Sequence, residues 1–84
     1  MSNEIIIYSA DWCADCRRSK RLLDSLHIEY ILIDVESDAL AEAKAVEING
    51  GKLAIPVIVF PDGTHLTEPS DIALAKKIKE LSLI

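Results

Sequence analysis

The two cysteines of the chain, Cys13 and Cys16, stand three positions apart, with Ala14 and Asp15 between them. Two thiols at this spacing can close a disulfide and open it again, so the pair could perform thiol–disulfide exchange. The nucleophile in such exchange is the thiolate. We therefore expect the chemistry of this chain to lie at this motif.

The segments around the motif predict different roles for the two thiols. Residues 4–8 are apolar and branched, which favours a strand, and residues 17–26 lack Gly and Pro and favour a helix. A helix that begins near Cys13 stabilises a thiolate there through its unpaired N–H groups and its dipole. The stripe of this helix that faces the core contains Cys16, Ser19, Leu23 and Leu26. We therefore predict that Cys13 is an exposed attacking thiol and that Cys16 is a sheltered resolving thiol.

A cysteine pair has two other common uses. A structural zinc ion needs four ligands, and only His27 and His65 are available to complete the set. Two buried structural cysteines are the second alternative. A position where a strand gives way to a helix is typical of a redox motif instead. The residues thus favour redox chemistry and no bound metal.

Length and charge restrict the possible functions further. A chain of 84 residues can form one domain, residues 1–84, with a single modest core. Nine basic and fourteen acidic residues give a net charge of −5, which argues against nucleic-acid and membrane partners. Residues 1–4 lack the features of a signal peptide, so we expect a cytoplasmic protein. The acidic surface predicts a monomer.

The predicted elements follow the order β-α-β-α-β-β-α. Strands are expected at residues 4–8, 28–35, 56–60 and 64–66, and helices at 13–26, 39–48 and from 70 onward. The apolar segment 28–35 is typical of a strand buried on both faces. Residues 61–63 form a turn, which makes the last two strands a hairpin. The pattern predicts an α/β fold with a four-stranded mixed sheet flanked by three helices.

Several of these segments together resemble the glutaredoxin branch of the thioredoxin superfamily. The resemblance rests on Tyr8-Ser9, the cysteine pair, Ile55-Pro56-Val57 and Gly63. Trp12-Cys13, Arg17-Arg18, Leu66-Thr67 and Pro69-Ser70 are similar to the mycoredoxins in particular. The resemblance covers essentially the whole chain. It implies a thioredoxin-like fold and an oxidoreductase that acts on disulfide-bearing proteins with glutathione or mycothiol as co-substrate and no tightly bound cofactor.

The resemblance also implies further site residues. It implies a cis Ile55–Pro56 bond that packs against the disulfide, whereas the residues alone predict a trans bond. The backbone of Ile55 would pair with the bound thiol or peptide. A small thiol would lie near Ser70 and Asp71, at the start of the last helix. Trp12 and Arg17, next to or near the cysteines, complete the predicted site.

The chain also departs from the usual glutaredoxin pattern. Ala14-Asp15 replaces Pro-Tyr between the cysteines, and the charge of Asp15 opposes a nearby thiolate. Thr67-Glu68 replaces the usual Gly-Gly before the last helix. Two other functions therefore stay open. One is a dithiol electron donor recycled by a flavin-dependent thioredoxin reductase, and the other is a module that binds an iron–sulfur cluster.

Overall fold

The computed structural model describes residues 4–83 and has the predicted order of elements. These are β1 (Ile5–Ser9), α1 (Ala14–Ser25), β2 (Tyr30–Asp34), α2 (Ala39–Ile48), β3 (Val57–Val59), β4 (His65–Thr67) and α3 (Asp71–Glu80). The strands form one sheet in the order β2-β1-β3-β4. β1 is parallel to β2 and antiparallel to β3, and β3 is antiparallel to β4. The predicted fold, a mixed sheet with three helices, is confirmed.

Short polar side chains begin the helices at the expected places. Asp38 Oδ1 accepts the Leu40 and Ala41 N–H groups at 3.1 and 3.2 Å, which starts α2. Ser70 Oγ accepts the Ala73 N–H at 3.1 Å and starts α3. Each cap satisfies N–H groups that have no partner within the helix. Among residues 4–83, no helix is long and apolar enough to cross a membrane.

The helices lie on both faces of the sheet because the strand residues alternate. One apolar cluster contains Ile5, Ile7, Ile58, Phe60, Leu23, Leu74 and Ile78, and it joins the sheet to α1 and α3. The other contains Tyr8, Val57, Ala41 and Ala45, and it joins the sheet to α2. Both cysteines belong to this second cluster. Successive residues of β1 point to opposite faces, so one strand supplies both clusters.

The prediction that residues 28–35 form a strand buried on both faces is wrong. β2 is shorter and lies at the edge of the sheet, next to β1 only. Ile31 and Leu32 are 42% and 47% exposed. Apolar and branched residues favour a strand, but burial depends on what packs against it. The helices cover β1 and β3 and leave much of β2 open to solvent.

Candidate active site

Cys13 is the N-cap of α1. Its N–H donates to the Ala10 carbonyl oxygen at 3.1 Å, and its Sγ accepts the Cys16 N–H at 3.1 Å. The sulfur therefore lies at the positive end of the helix, where a backbone N–H and the dipole stabilise a thiolate. This geometry agrees with the attacking role that the sequence predicts for Cys13.

The prediction that Cys13 is exposed is wrong, since only 6% of the residue is accessible. The segment before β3 covers it. The Cys13 thiol donates to the carbonyl oxygen of Ile55, with 3.8 Å between sulfur and oxygen. The Ile55–Pro56 peptide bond is cis, which agrees with the resemblance and differs from the expectation based on the residues alone. Ile55 and Pro56 are both buried, so they form a fixed wall beside the sulfur.

Cys16 has no accessible surface, as predicted for the sheltered thiol. Burial raises the pKa of its thiol from 9.0 to about 12, and the hydrogen bond with Cys13 adds to the rise. The Ala10 backbone and the charge of Lys20 oppose this change of the pKa. Cys16 is therefore protonated at neutral pH. Both cysteines are free, so the structure shows the reduced dithiol form.

A cavity of about 450 Å³ opens beside Cys13. Its wall includes Trp12 and Ile55 and the apolar Leu53. Four acidic residues also line it, namely Asp15, Glu36, Glu42 and Glu68. No Lys, Arg or His is among the lining residues that the structure describes. A somewhat larger cavity, of about 540 Å³, lies at Tyr30, and neither cysteine lines it.

Trp12 and Arg17 occupy different places relative to this cavity. Trp12 lines it, is 63% exposed, and donates its indole N–H to the Glu36 carboxylate. Arg17 is exposed, and its guanidinium donates to the Asp11 carbonyl oxygen at 2.8 Å. It lies outside the cavity lining, so its predicted contact with a small thiol stays a prediction.

Arg18, which the sequence named only within the resemblance to the mycoredoxins and not as a site residue, also lies near the site. Its guanidinium lies 3.0 Å from the Asp15 carboxylate and 3.6 Å from the Asp71 carboxylate. It also donates to the Pro69 carbonyl oxygen at 3.3 Å. The three-residue spacing of Asp15 and Arg18 was the available signal. Since Asp15 is paired with a cation, its repulsion of a Cys13 thiolate is weaker than the sequence alone suggested.

The start of α3 lies apart from the cavity lining. Ser70 caps the helix and Asp71 pairs with Arg18, and neither lines the cavity at Cys13. Their predicted contact with a small thiol stays a prediction. Glu68, which precedes them, does line the cavity. Within residues 4–83, no three His, Cys, Asp or Glu side chains come together in a way that could hold a metal ion.

The sheet order, the helix-capping thiol and the buried thiol one turn later place the chain among the thioredoxin-like dithiol redox proteins. Residues 5–66 match the family model described as Glutaredoxin. The chain is 39% identical to Mycoredoxin 1 of Corynebacterium glutamicum over 82 residues, which is 98% of this chain and 100% of that protein. The chain belongs to the glutaredoxin family.

Two further similarities agree with this assignment. A putative glutaredoxin of Mycobacterium tuberculosis is 37% identical over 76 residues, 89% of this chain and 90% of that protein. The crystal structure of a glutaredoxin from Archaeoglobus fulgidus superposes with a TM-score of 0.73. It has 24% sequence identity and covers 95% of this chain and 86% of that one, and it supports the fold.

Proposed function

We propose that this protein is a thiol–disulfide oxidoreductase that reduces mixed disulfides and protein disulfides with a low-molecular-weight thiol. The position of the Cys13 sulfur carries the proposal. It caps α1, accepts the Cys16 N–H at 3.1 Å and lies beside a cavity of about 450 Å³. The helix end stabilises the thiolate, and the cavity offers a substrate disulfide a way to reach it.

In the first step, the Cys13 thiolate attacks one sulfur of the substrate disulfide. A new S–S bond forms while the bond within the substrate breaks. The departing sulfur leaves as a thiolate and takes a proton from solvent. The product is a mixed disulfide between Cys13 and the remaining half of the substrate.

The mixed disulfide can be resolved in two ways. Cys16 can lose its proton and attack Cys13, which forms the internal disulfide and releases the bound thiol. Alternatively, a second small thiol attacks the bound one, which frees the Cys13 thiolate and forms a small disulfide. Burial raises the pKa of Cys16 to about 12, so few Cys16 thiolates exist at neutral pH. This favours the second route.

The charge of the cavity favours mycothiol over glutathione as the co-substrate. Glutathione has two carboxylates and mycothiol has none. The four acidic residues that line the cavity repel a carboxylate, and no cationic residue among the lining residues compensates for them. The name of the relative Mycoredoxin 1 agrees with this choice. We also propose that the protein acts in the cytoplasm and as a monomer.

Recycling of the oxidised protein tests the proposal. NADPH consumption is followed with glutathione and its reductase, with mycothiol and its reductase, and with thioredoxin reductase alone. We expect turnover with a small thiol, and faster turnover with mycothiol than with glutathione. Cys13→Ser should abolish it, whereas Cys16→Ser should retain part of the activity on mixed disulfides.

Three other results would contradict the proposal. Full activity of Cys13→Ser would show that the nucleophile is wrongly assigned. Reduction by thioredoxin reductase alone would identify a dithiol electron donor. A brown protein that contains iron after anaerobic purification would indicate an iron–sulfur module.

A further inference from the structure

Among the residues described, the charged side chains that line the cavity at Cys13 are all acidic, which thiol exchange itself does not require. Asp15, Glu36, Glu42 and Glu68 line it, and no Lys, Arg or His does so among the residues described. These four residues come from four segments, namely α1, the loop after β2, α2 and the loop before α3. The tertiary fold has therefore gathered carboxylates around the nucleophile.

Two of these carboxylates already have partners. Asp15 lies 3.0 Å from the Arg18 guanidinium, and Glu36 accepts the indole N–H of Trp12. The other two, Glu42 and Glu68, make no side-chain hydrogen bond or ion pair with any residue in the range 4–83. Both are exposed to solvent. Their charges are thus available to a molecule that enters the cavity.

The backbone holds Glu68 in an unusual conformation beside the site. Its φ is +48°, in the left-handed region that glycine adopts at lower steric cost. Its N–H donates to the Pro56 carbonyl oxygen at 2.9 Å, which ties it to the wall that faces Cys13. A charged side chain therefore projects from a position where a glycine would be less strained.

The rim of the cavity also has apolar surface. Trp12 is 63% exposed and Leu53 is 59% exposed, and both line the cavity. A peptide with a basic side chain and an apolar side chain near its cysteine would complement both features. A small anionic disulfide would complement neither.

We propose that Glu42 and Glu68 select disulfide substrates in which a lysine or arginine of a peptide chain flanks the reacting cysteine. The proposal rests on the function proposed above and names its substrate class. The attack by Cys13 is unchanged, and the two carboxylates bind the flanking cation without taking part in bond exchange. They are specificity-determining residues, because they attract a positively charged substrate as it approaches and stabilise it when it is bound.

Two matched peptides test this selection. Each contains one cysteine in a mixed disulfide with the same small thiol, flanked by two lysines in one peptide and by two glutamates in the other. The value of kcat/KM is measured for both peptides and for a neutral small disulfide. For the native protein, we expect a preference of roughly tenfold or more for the lysine peptide at low salt.

The variants Glu42→Gln and Glu68→Gln remove one charge each and retain the size of the side chain. Each should lower the preference about 1.4- to fivefold, which is the range for single exposed ion pairs. The double variant should lower it by roughly the product of the two effects. Glu80→Gln, at the exposed end of α3 and outside the cavity lining, is the matched control and should leave the preference unchanged.

Ionic strength provides a second readout. The preference should shrink between about 0.01 M salt, where the Debye length is about 30 Å, and about 1 M, where it is about 3 Å. The rate on the neutral disulfide should stay nearly constant over this range. A preference that survives 1 M salt would overturn the role of charge.

The results that would overturn the substrate selection differ from those that would overturn the proposed function. Turnover of the neutral disulfide with equal rates on both peptides overturns the selection and leaves the proposed function intact. An unchanged preference in the double variant overturns the assignment to these two carboxylates. No turnover of any disulfide overturns the proposed function, and the selection falls with it.

Discussion

The ionisation of Cys16 provides the sharpest test of the site geometry. Burial raises the pKa of this thiol from 9.0 to about 12. At pH 8, a thiol with the ordinary value is about one-tenth thiolate, whereas one with a pKa of about 12 is thiolate in about one molecule in ten thousand. The structure therefore predicts about a thousandfold fewer reactive Cys16 thiolates at this pH.

Alkylation of the reduced protein with iodoacetamide measures this population. Modification is limited to a small fraction of the molecules, and mass spectrometry of peptides assigns it to each cysteine. The rate at Cys16 should still rise about tenfold per pH unit between pH 8 and 10, because its pKa lies well above this range. Burial also hinders access of the reagent, but access alone would not change this pH dependence.

Two variants test the causes of the raised pKa. Cys13→Ser removes the thiol whose hydrogen bond and charge raise the pKa of Cys16. The midpoint of the pH dependence of Cys16 alkylation should therefore move to a lower pH, but burial should keep it above 9.0. Lys20→Met removes a positive charge that lowers this pKa, so the midpoint should move up. A Cys16 rate that levels off near pH 9 in the native protein would refute the reasoning.

Three other predictions concern stability. The folded reduced protein keeps the Cys16 proton up to a higher pH than the unfolded chain does, so rising pH favours unfolding. Deprotonation of Cys16 in the unfolded chain should therefore lower the free energy of unfolding by about 1.4 kcal/mol between pH 8 and 10. Urea unfolding at the two pH values should show this loss in the native protein and a smaller one in Cys16→Ala, and equal losses would contradict it. Arg18→Ala removes the ion pair with Asp15 within α1 and two contacts, with Asp71 and Pro69, that join α1 to the start of α3, and it should cost about 1 kcal/mol in urea unfolding. Arg21→Ala is its control, and an equal loss there would show that the contacts do not matter. Glu68→Gly relieves a φ of +48° and should stabilise the protein by about 0.5–1 kcal/mol, whereas a lower melting temperature would count against strain at this residue.

Much of the fold was predictable because it depends on local patterns. The helix-capping Asp38 and Ser70 are residue types that accept N–H groups, and both cap helices in the structure. The spacing that places Cys16 and Leu23 on one stripe of α1 predicted their burial, and neither has any accessible surface. The extent of burial of β2 was not predictable in the same way. Strand propensity does not determine whether a strand lies in the middle or at the edge of a sheet.

The site was only partly predictable for a related reason. The capping position of Cys13 follows from the junction of a strand and a helix. Two of the three partners of Arg18 do not, because Asp71 and Pro69 belong to a segment more than 50 residues away, as the separation of 51 between Arg18 and Pro69 shows. The cis form of the Ile55–Pro56 bond followed from the family resemblance and not from the residues alone.

The sequence by itself determined the order of the elements, the place of the thiol pair at the start of a helix and the burial of Cys16. These features depend on residue types and spacings within a few turns of the chain. Only the tertiary structure decided that Cys13 is covered by Ile55, which is 42 residues away, and that Glu42 and Glu68 lie beside the same cavity. Contacts between distant segments arise from how the helices and strands pack, and local periodicity contains no information about them.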